Sequence, residues 1–254
     1  MARKANRKNA GAPVAALVVL VLLLALGRML LPQEQTAQTY PDGELQVWFL
    51  DVGQADASLL LCDGEAMLID GGNVDDASYV VASLAQYGVT SLDYVINTHC
   101  DEDHVGGLAG VLARFPAEHV WSSTTEYGTR AFSNFLKYAG EQGKQVELPS
   151  AGDTFQLGGA EVTVLGPLRD YENNNENSIV LRVDYGDTSF LFTGDMGVTA
   201  EDELVESGAK LDATVLKVGH HGSAGSTGYV FLREVMPEYG VISVGADNSY
   251  GHPT

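Results

Sequence analysis

The sequence predicts an α/β protein with helices packed outside β-sheet, and three observations carry that prediction. The first is order: a β-hairpin, a helix, a further strand and then a ligand-rich loop follow one another from Glu44 onward. The second is composition, with 29 glycines and 45% hydrophobic residues, which suits a globular chain whose 254 residues make one large domain. The third is placement: the polar, potentially chemical loops fall at the ends of apolar strands.

In order, residues 1–11 form a basic tail and 12–31 an almost wholly apolar run, long enough at about 20 residues to span a bilayer. The positive flank should stay cytoplasmic, so this run is read as an uncleaved signal-anchor with an exported body. A cleavable signal peptide is the rival reading, but its apolar core would be shorter, and Gln35-Thr-Ala37 is a poor cleavage site. Residues 32–43 are a polar linker, and 44–254 make the one large domain. There Glu44 to Asp51, Ala57 to Leu61 and Ala66 to Ile69 read as strands, the last two joined by Asp63-Gly64. Residues 76–87 carry apolar positions at helical spacing and stop at Gly88. A strand follows over Leu92 to Ile96, then a helix over Val105 to Phe115 and a strand around His119-Val-Trp121, where His119 is structural. Next come a helix over Arg130 to Glu141 and a hairpin about Gly158-Gly159. Strands at Ile179 to Tyr185 and Ser189 to Thr193 precede a helix over Thr199 to Ser207 with a Thr199-Ala-Glu-Asp202 cap. Strands at Ala213 to Val218 and Val241 to Val244 complete the chain.

The net charge of −20 argues against tight nucleic-acid binding through a basic surface, so metal ions would have to hold any anionic substrate. Cys62 and Cys100 are read as free thiols. The strongest chemical signal is Asn97-Thr-His-Cys-Asp-Glu-Asp-His-Val-Gly-Gly107, a strand-to-helix loop that concentrates His99, Asp101, Asp103 and His104. Imidazole with carboxylate suits zinc, manganese or iron, whereas thiolate sets suit structural zinc. Asp195, after a glycine at the tip of a buried strand, is placed to contact a ligand. Gly219-His-His-Gly-Ser223 ends another strand, and adjacent histidines on extended backbone point apart, so only one of His220 and His221 is expected to be a ligand. The loop Asn173-Asn-Asn-Glu-Asn-Ser178 has even claims to be an ordinary turn or to face the site.

The HxDxDHxGG loop resembles the metallo-β-lactamase superfamily signature HxHxDH, with Asp101 in place of its second histidine. The departure resembles the phosphodiesterase-like branch, and its harder carboxylate ligation favours Mn²⁺ without excluding Zn²⁺. Phe49-Leu-Asp-Val-Gly-Gln54, Leu68-Ile-Asp-Gly-Gly72, Asn177-Ser-Ile-Val-Leu181, Leu191-Phe-Thr-Gly-Asp195, Leu216-Lys-Val-Gly-His-His-Gly-Ser223 and Tyr250-Gly-His-Pro253 extend the match. In this order they resemble the hydrolase domain of ComEC-type DNA-internalisation proteins. The resemblance implies an αββα four-layer sandwich with two divalent metal ions, Zn²⁺ or Mn²⁺, at the loop edge. It implies His99 and Asp101 at one ion, Asp103 and His104 at the other, Asp195 bridging, and His221 as the preferred histidine of its pair. Asp103 would orient a metal-activated hydroxide, and His220 or His252 would give a proton to the leaving oxygen. Asn177 falls where many relatives place another histidine ligand; Asp51 and Asp70 are read as orienting the loops. The family continues past Gly-His-Pro with a further helix and strand, which implies a truncated C-terminus here.

The function expected is a membrane-tethered, extracytoplasmic phosphodiesterase or nuclease, with DNA among its substrates. A hydrolase of another surface phosphodiester, such as a choline-phosphate or teichoic-acid decoration, is the alternative. A non-catalytic, membrane-tethered binding module is the alternative of another class.

Overall fold

The computed structural model describes residues 43–254. The expected signal-anchor at 12–31 lies outside the described residues, and no helix within them is long and apolar enough to cross a membrane. Two sheets make the frame. The first has five strands in the order β1-β2-β3-β4-β5, namely β1 Leu45–Phe49, β2 Ser58–Cys62, β3 Glu65–Ile69, β4 Leu92–Asn97 and β5 Ala117–Ser122. The second has six in the order β11-β10-β9-β8-β7-β6. Its members are β6 Thr154–Leu157, β7 Ala160–Gly166, β8 Val180–Tyr185, β9 Thr188–Phe192, β10 Val215–Lys217 and β11 Tyr239–Val241.

Strand alternation decides which faces meet. Leu60, Cys62, Met67, Ile69 and Ile96 of the first sheet pack against Leu157, Val162, Val164, Leu181, Val183 and Phe192 of the second. Tyr94, Trp121 and Phe155 close one end, with ring centroids 4.0 to 5.3 Å apart; each such pair adds about 1 kcal/mol beyond area burial. His119 stacks on Tyr94 and pairs with Glu147 at 3.1 Å, a structural place. Both cysteines are buried and unpaired.

Helices cover the outer faces. α1 (Ala77–Gln86), α2 (Glu102–Val105), α3 (Leu108–Arg114) and α4 (Arg130–Glu141) lie against the first sheet. α5 (Val198–Glu206) and α6 (Tyr229–Val235) lie against the second. The result is the αββα layering. In α4, Ala131, Phe132, Phe135 and Ala139 repeat at helical spacing and are buried, while Thr129 Oγ1 caps the first turn by accepting from Phe132 N.

Three expectations are corrected. The helix predicted over Val105 to Phe115 begins only at Leu108 (α3), and a separate short helix, α2, occupies Glu102–Val105 before the break at Gly106-Gly107. Packing explains the pair: a Cβ on Gly107 would sit 2.0 Å from the Gly71 carbonyl oxygen, and one on Gly106 2.3 Å from Val74 N. The helix predicted from Thr199 begins at Val198 after Gly197, with no side-chain cap; instead Glu176 reaches in from the Asn-rich loop and accepts from Ala200 N at 2.9 Å. The last strand is Tyr239–Val241, ahead of the expected Val241 to Val244, where it pairs in parallel with β10. The helix α6 is not foreseen by the sequence reading at all.

Glu201 on α5 is buried and accepts from Thr227 N and Gly228 N, so it anchors the start of α6. Burial raises its carboxyl from 4.5 to about 7. An acid whose folded pKa exceeds its unfolded value binds more protons when folded, so stability falls as pH rises from about 4.5 to about 7. The swing is on the order of 3 kcal/mol. Glu201→Gln mimics the protonated acid, so thermal melts of this variant should lose most of that pH dependence. A slope unchanged from the parent would place the titration elsewhere.

Candidate metal centre

The site lies where loops from both sheets meet at one edge of the sandwich. β4 delivers His99 and Asp101 on the loop into α2, and α2 carries Asp103 and His104. β9 ends at Gly194-Asp195, and β10 at the turn Gly219–Gly222 with His220 and His221. His99, His104, Asp195 and His221 are all buried.

Asp195 stands in the middle. Its Oδ1 lies 3.2 Å from His104 Nε2, and its Oδ2 lies 3.9 Å from His99 Nε2 and 3.7 Å from both His220 and His221 Nε2. On one side His99 Nε2 is 3.6 Å from Asp101 Oδ2. On the other, His221 Nε2 is 3.2 Å from Asp103 Oδ2. His99 Nε2, His104 Nε2 and Asp195 Oδ1 are buried without a well-aligned hydrogen bond among the described residues, although the last two are within ion-pair range of each other. Lone-pair atoms that converge but do not hydrogen-bond suit a shared cation.

The distal nitrogens are fixed. His104 Nδ1 donates to Asp70 Oδ2 at 2.8 Å, and Asp70 is itself held by Thr98 N and Thr98 Oγ1 at 2.8 and 2.7 Å. His221 Nδ1 donates to the Ser243 carbonyl at 2.9 Å. Both contacts leave Nε2 turned to the centre, the usual way a ligand tautomer is selected. Tyr127 OH donates to Asp101 Oδ1 at 3.0 Å.

Electrostatics follow the same pattern. Burial opposes charge on His104, but Asp195 and Asp70 outweigh it and hold its pKa well above the imidazole value. Burial likewise opposes ionisation of Asp195, yet His104, His99 and His221 keep it well below the carboxylate range. Against burial again, Asp103 is lowered by His221 and His104, and His221 is raised by Asp103 and Asp195. His220 differs: burial carries its pKa below the ordinary value.

His220 and His221 both adopt left-handed backbone, with φ of 48° and 53°. The expectation that the two side chains point apart rests on extended backbone, and here it fails, because both Nε2 atoms reach Asp195. Non-glycine residues in this region cost of order 1 to 3 kcal/mol each, and such strain gathers at functional sites.

Asp101, Asp103, Asp195, His220, His221 and His252 line a cleft of about 280 Å³, and His252 Nδ1 is buried without a hydrogen-bond partner among the described residues. A larger depression of about 700 Å³ beside Arg114 and Lys144 contains none of these groups. Asn177 does not face the cleft; its amide bonds Tyr171 and Asn173 within its own loop. That loop reaches the site instead through Asn175, whose Nδ2 is 3.5 Å from His220 Nδ1. Asp51 makes a long contact of 3.4 Å to Gly53 N at the surface.

Asp56 was not singled out by sequence reasoning. Its carboxylate belongs to a quartet with His104, Asp195 and His221 whose potential ligand atoms all lie within 4.8 Å of one another.

Comparison with known proteins agrees with this geometry. Residues 50–246 match the profile of the Metallo-beta-lactamase superfamily. The chain is 30% identical over 235 residues to ComE operon protein 3 of Bacillus subtilis (strain 168), covering 84% of this chain and 30% of that protein. It is 34% identical over 220 residues to Competence protein ComA of Neisseria gonorrhoeae, covering 85% and 29%. It therefore spans about a third or less of the length of these relatives. Among solved structures, the Rm3 metallo-beta-lactamase superposes with a TM-score of 0.50 at 15% identity, covering 73% of this chain and 81% of that one.

Proposed function

This chain belongs to the metallo-beta-lactamase superfamily, and from that premise we propose that it is a metal-dependent phosphodiesterase acting on nucleic acid. The observation that carries the proposal is the convergence of His99, His104 and His221 Nε2 on the Asp195 carboxylate, with Asp101 and Asp103 on either flank. This oxygen-rich imidazole set fits one or two divalent cations, Mn²⁺ or Zn²⁺. His99 with Asp101 would hold one, Asp103, His104 and His221 the other, and Asp195 would be shared.

Divalent ions bound there supply acidification of a water and screening of phosphate charge. The chain's own groups do the rest. Asp103, kept ionised, accepts a hydrogen bond from the attacking water and orients it. His220 and His252, which line the cleft, are the groups that would pass a proton to the leaving oxygen. Homology to competence proteins supports a nucleic-acid substrate. The basic tail and the apolar run at 12–31 support a tether to the membrane with the hydrolase domain outside the cytoplasm.

One observation favours a second reading. Asp101, Glu102 and Asp103 crowd the mouth of the cleft, and no Lys or Arg is among its described lining residues. A smaller phosphodiester, such as a choline-phosphate or teichoic-acid decoration, meets less repulsion there than a polyanion does.

The test is a screen of metal-loaded protein against single-stranded DNA, double-stranded DNA, RNA and bis(p-nitrophenyl) phosphate. Hydrolysis in Mn²⁺ or Zn²⁺ that is abolished by a chelator is expected, with DNA turned over faster than the small ester. Preference for the small ester favours the second reading, and no hydrolysis under either metal removes the phosphodiesterase.

A further inference from the structure

We propose that Asp56 and Lys217 form a buried clamp that sets the two halves of the ligand set at their working separation, with Asp56 a positioning residue and not a ligand. The inference rests on the metal-centre reading above. Lys217 is the last residue of β10 and is buried, as is Asp56. The Lys217 Nζ lies 2.7 Å from Asp56 Oδ1 and 2.9 Å from Oδ2, the second contact along the hydrogen-bond direction. Nζ also donates to the Val218 carbonyl at 3.3 Å.

Two of the three ammonium protons go to Asp56 Oδ2 and the Val218 carbonyl, while Asp56 Oδ1, 2.7 Å from the ammonium, is buried within ion-pair range but without an aligned hydrogen bond among the described residues. These contacts also neutralise both oxygens of Asp56. A cation coordinated by Asp56 would have to share the carboxylate with the ammonium, setting two positive charges side by side in a buried place, which is unfavourable.

The backbone of Asp56 shows what the pair holds. Its N–H donates to the Asp103 carbonyl at 3.0 Å, and its own carbonyl accepts from Gly72 N at 2.8 Å. Asp56 is thus tied to the loop of Asp103 and His104 and to the Asp70-Gly-Gly72 turn that orients His104. Lys217 is tied to the other half: His220 and His221 follow it by three and four residues, and Thr193 Oγ1, two residues before Asp195, donates to its carbonyl at 3.0 Å. One ion pair therefore joins the carriers of Asp103 and His104 to those of Asp195 and His221, across 161 residues of sequence.

Removing the lysine separates the two roles by sign. If Asp56 is a ligand, Lys217→Met frees its carboxylate and binding tightens. If it is a positioning residue, the halves lose their register and binding weakens. Zn²⁺ affinity of the purified full chain, measured by competition with a chromogenic chelator, should fall at least about ten-fold in Lys217→Met, the scale seen when a partner that orients ligands is lost. Equal or tighter binding overturns the proposal. Should that variant fail to fold, the parent decides. In ¹⁵N-lysine-labelled parent the slowly exchanging Lys217 ammonium signal should survive loading with diamagnetic Zn²⁺; its loss on loading would make Asp56 a ligand. A parent that binds neither Zn²⁺ nor Mn²⁺ overturns the metal reading itself, and the clamp with it.

Discussion

Asp103→Asn should reduce turnover on the best phosphodiester by two or more powers of ten, a barrier increase of roughly 3 kcal/mol. The change is nearly isosteric, and the side-chain amide can still hydrogen-bond to His221 Nε2, which lies 3.2 Å from the present carboxylate. What disappears is the negative charge that His221 and His104 maintain against burial, together with the capacity to take a proton from water. Metal-free stability should change by about 1 kcal/mol at most, since one hydrogen bond is weakened and no apolar contact is lost. Steady-state kinetics and a metal-free melt measure the two effects separately. Near-parental turnover would mean that another group orients the water; a collapse in melting temperature would mean that the residue is structural first.

Asp195→Ala should have the wider effect, because its two oxygens face different partners. Oδ1 is nearest His104, while Oδ2 faces His99, His220 and His221. Metal content, by elemental analysis, should approach two ions per chain in the parent and fall below one in the variant, with turnover down at least a thousand-fold, about 4 kcal/mol. The same removal leaves three buried imidazoles without their common anion. Metal-free protein should then bind fewer protons at His104, and the pH at which metal-free His104 titrates by NMR should drop. Stoichiometry equal to the parent would show that the carboxylate is not shared.

Much of the architecture was legible because it is local. The apolar run of β4, the helix α4 over Arg130 to Glu141 and the Gly158-Gly159 hairpin between β6 and β7 are each specified by neighbours in sequence. The ligand loop was legible for the same reason: four ligand-type side chains fall within six residues, His99 to His104. What stayed hidden depends on partners far along the chain. Asp56 looks like a turn residue until Lys217 is placed against it. The split between α2 and α3 follows from backbone of Gly71 and Val74 pressing on Gly106 and Gly107, which no periodicity reports. The inward turn of both His220 and His221 needs a left-handed backbone that strand-end reasoning does not anticipate. In α6 three apolar residues, Tyr229, Val230 and Leu232, are exposed, so its pattern lacks the clean amphipathic stripe by which helices are read.

The distribution of ligands over both halves of the sandwich has a consequence for how the protein is made. His99 and Asp195 are about 100 residues apart in the chain, and His221 is further still. Closing such loops carries an entropic cost that no single ligand pair offsets, so long-range assemblies of this kind form late. A chain emerging from the ribosome presents the His99-to-His104 loop long before β9 and β10 exist, and a cation caught by that loop alone would be held weakly. An ion bound there would therefore not template the first sheet; it would act as a latch that closes once the second half has docked, stabilising the finished fold by mass action.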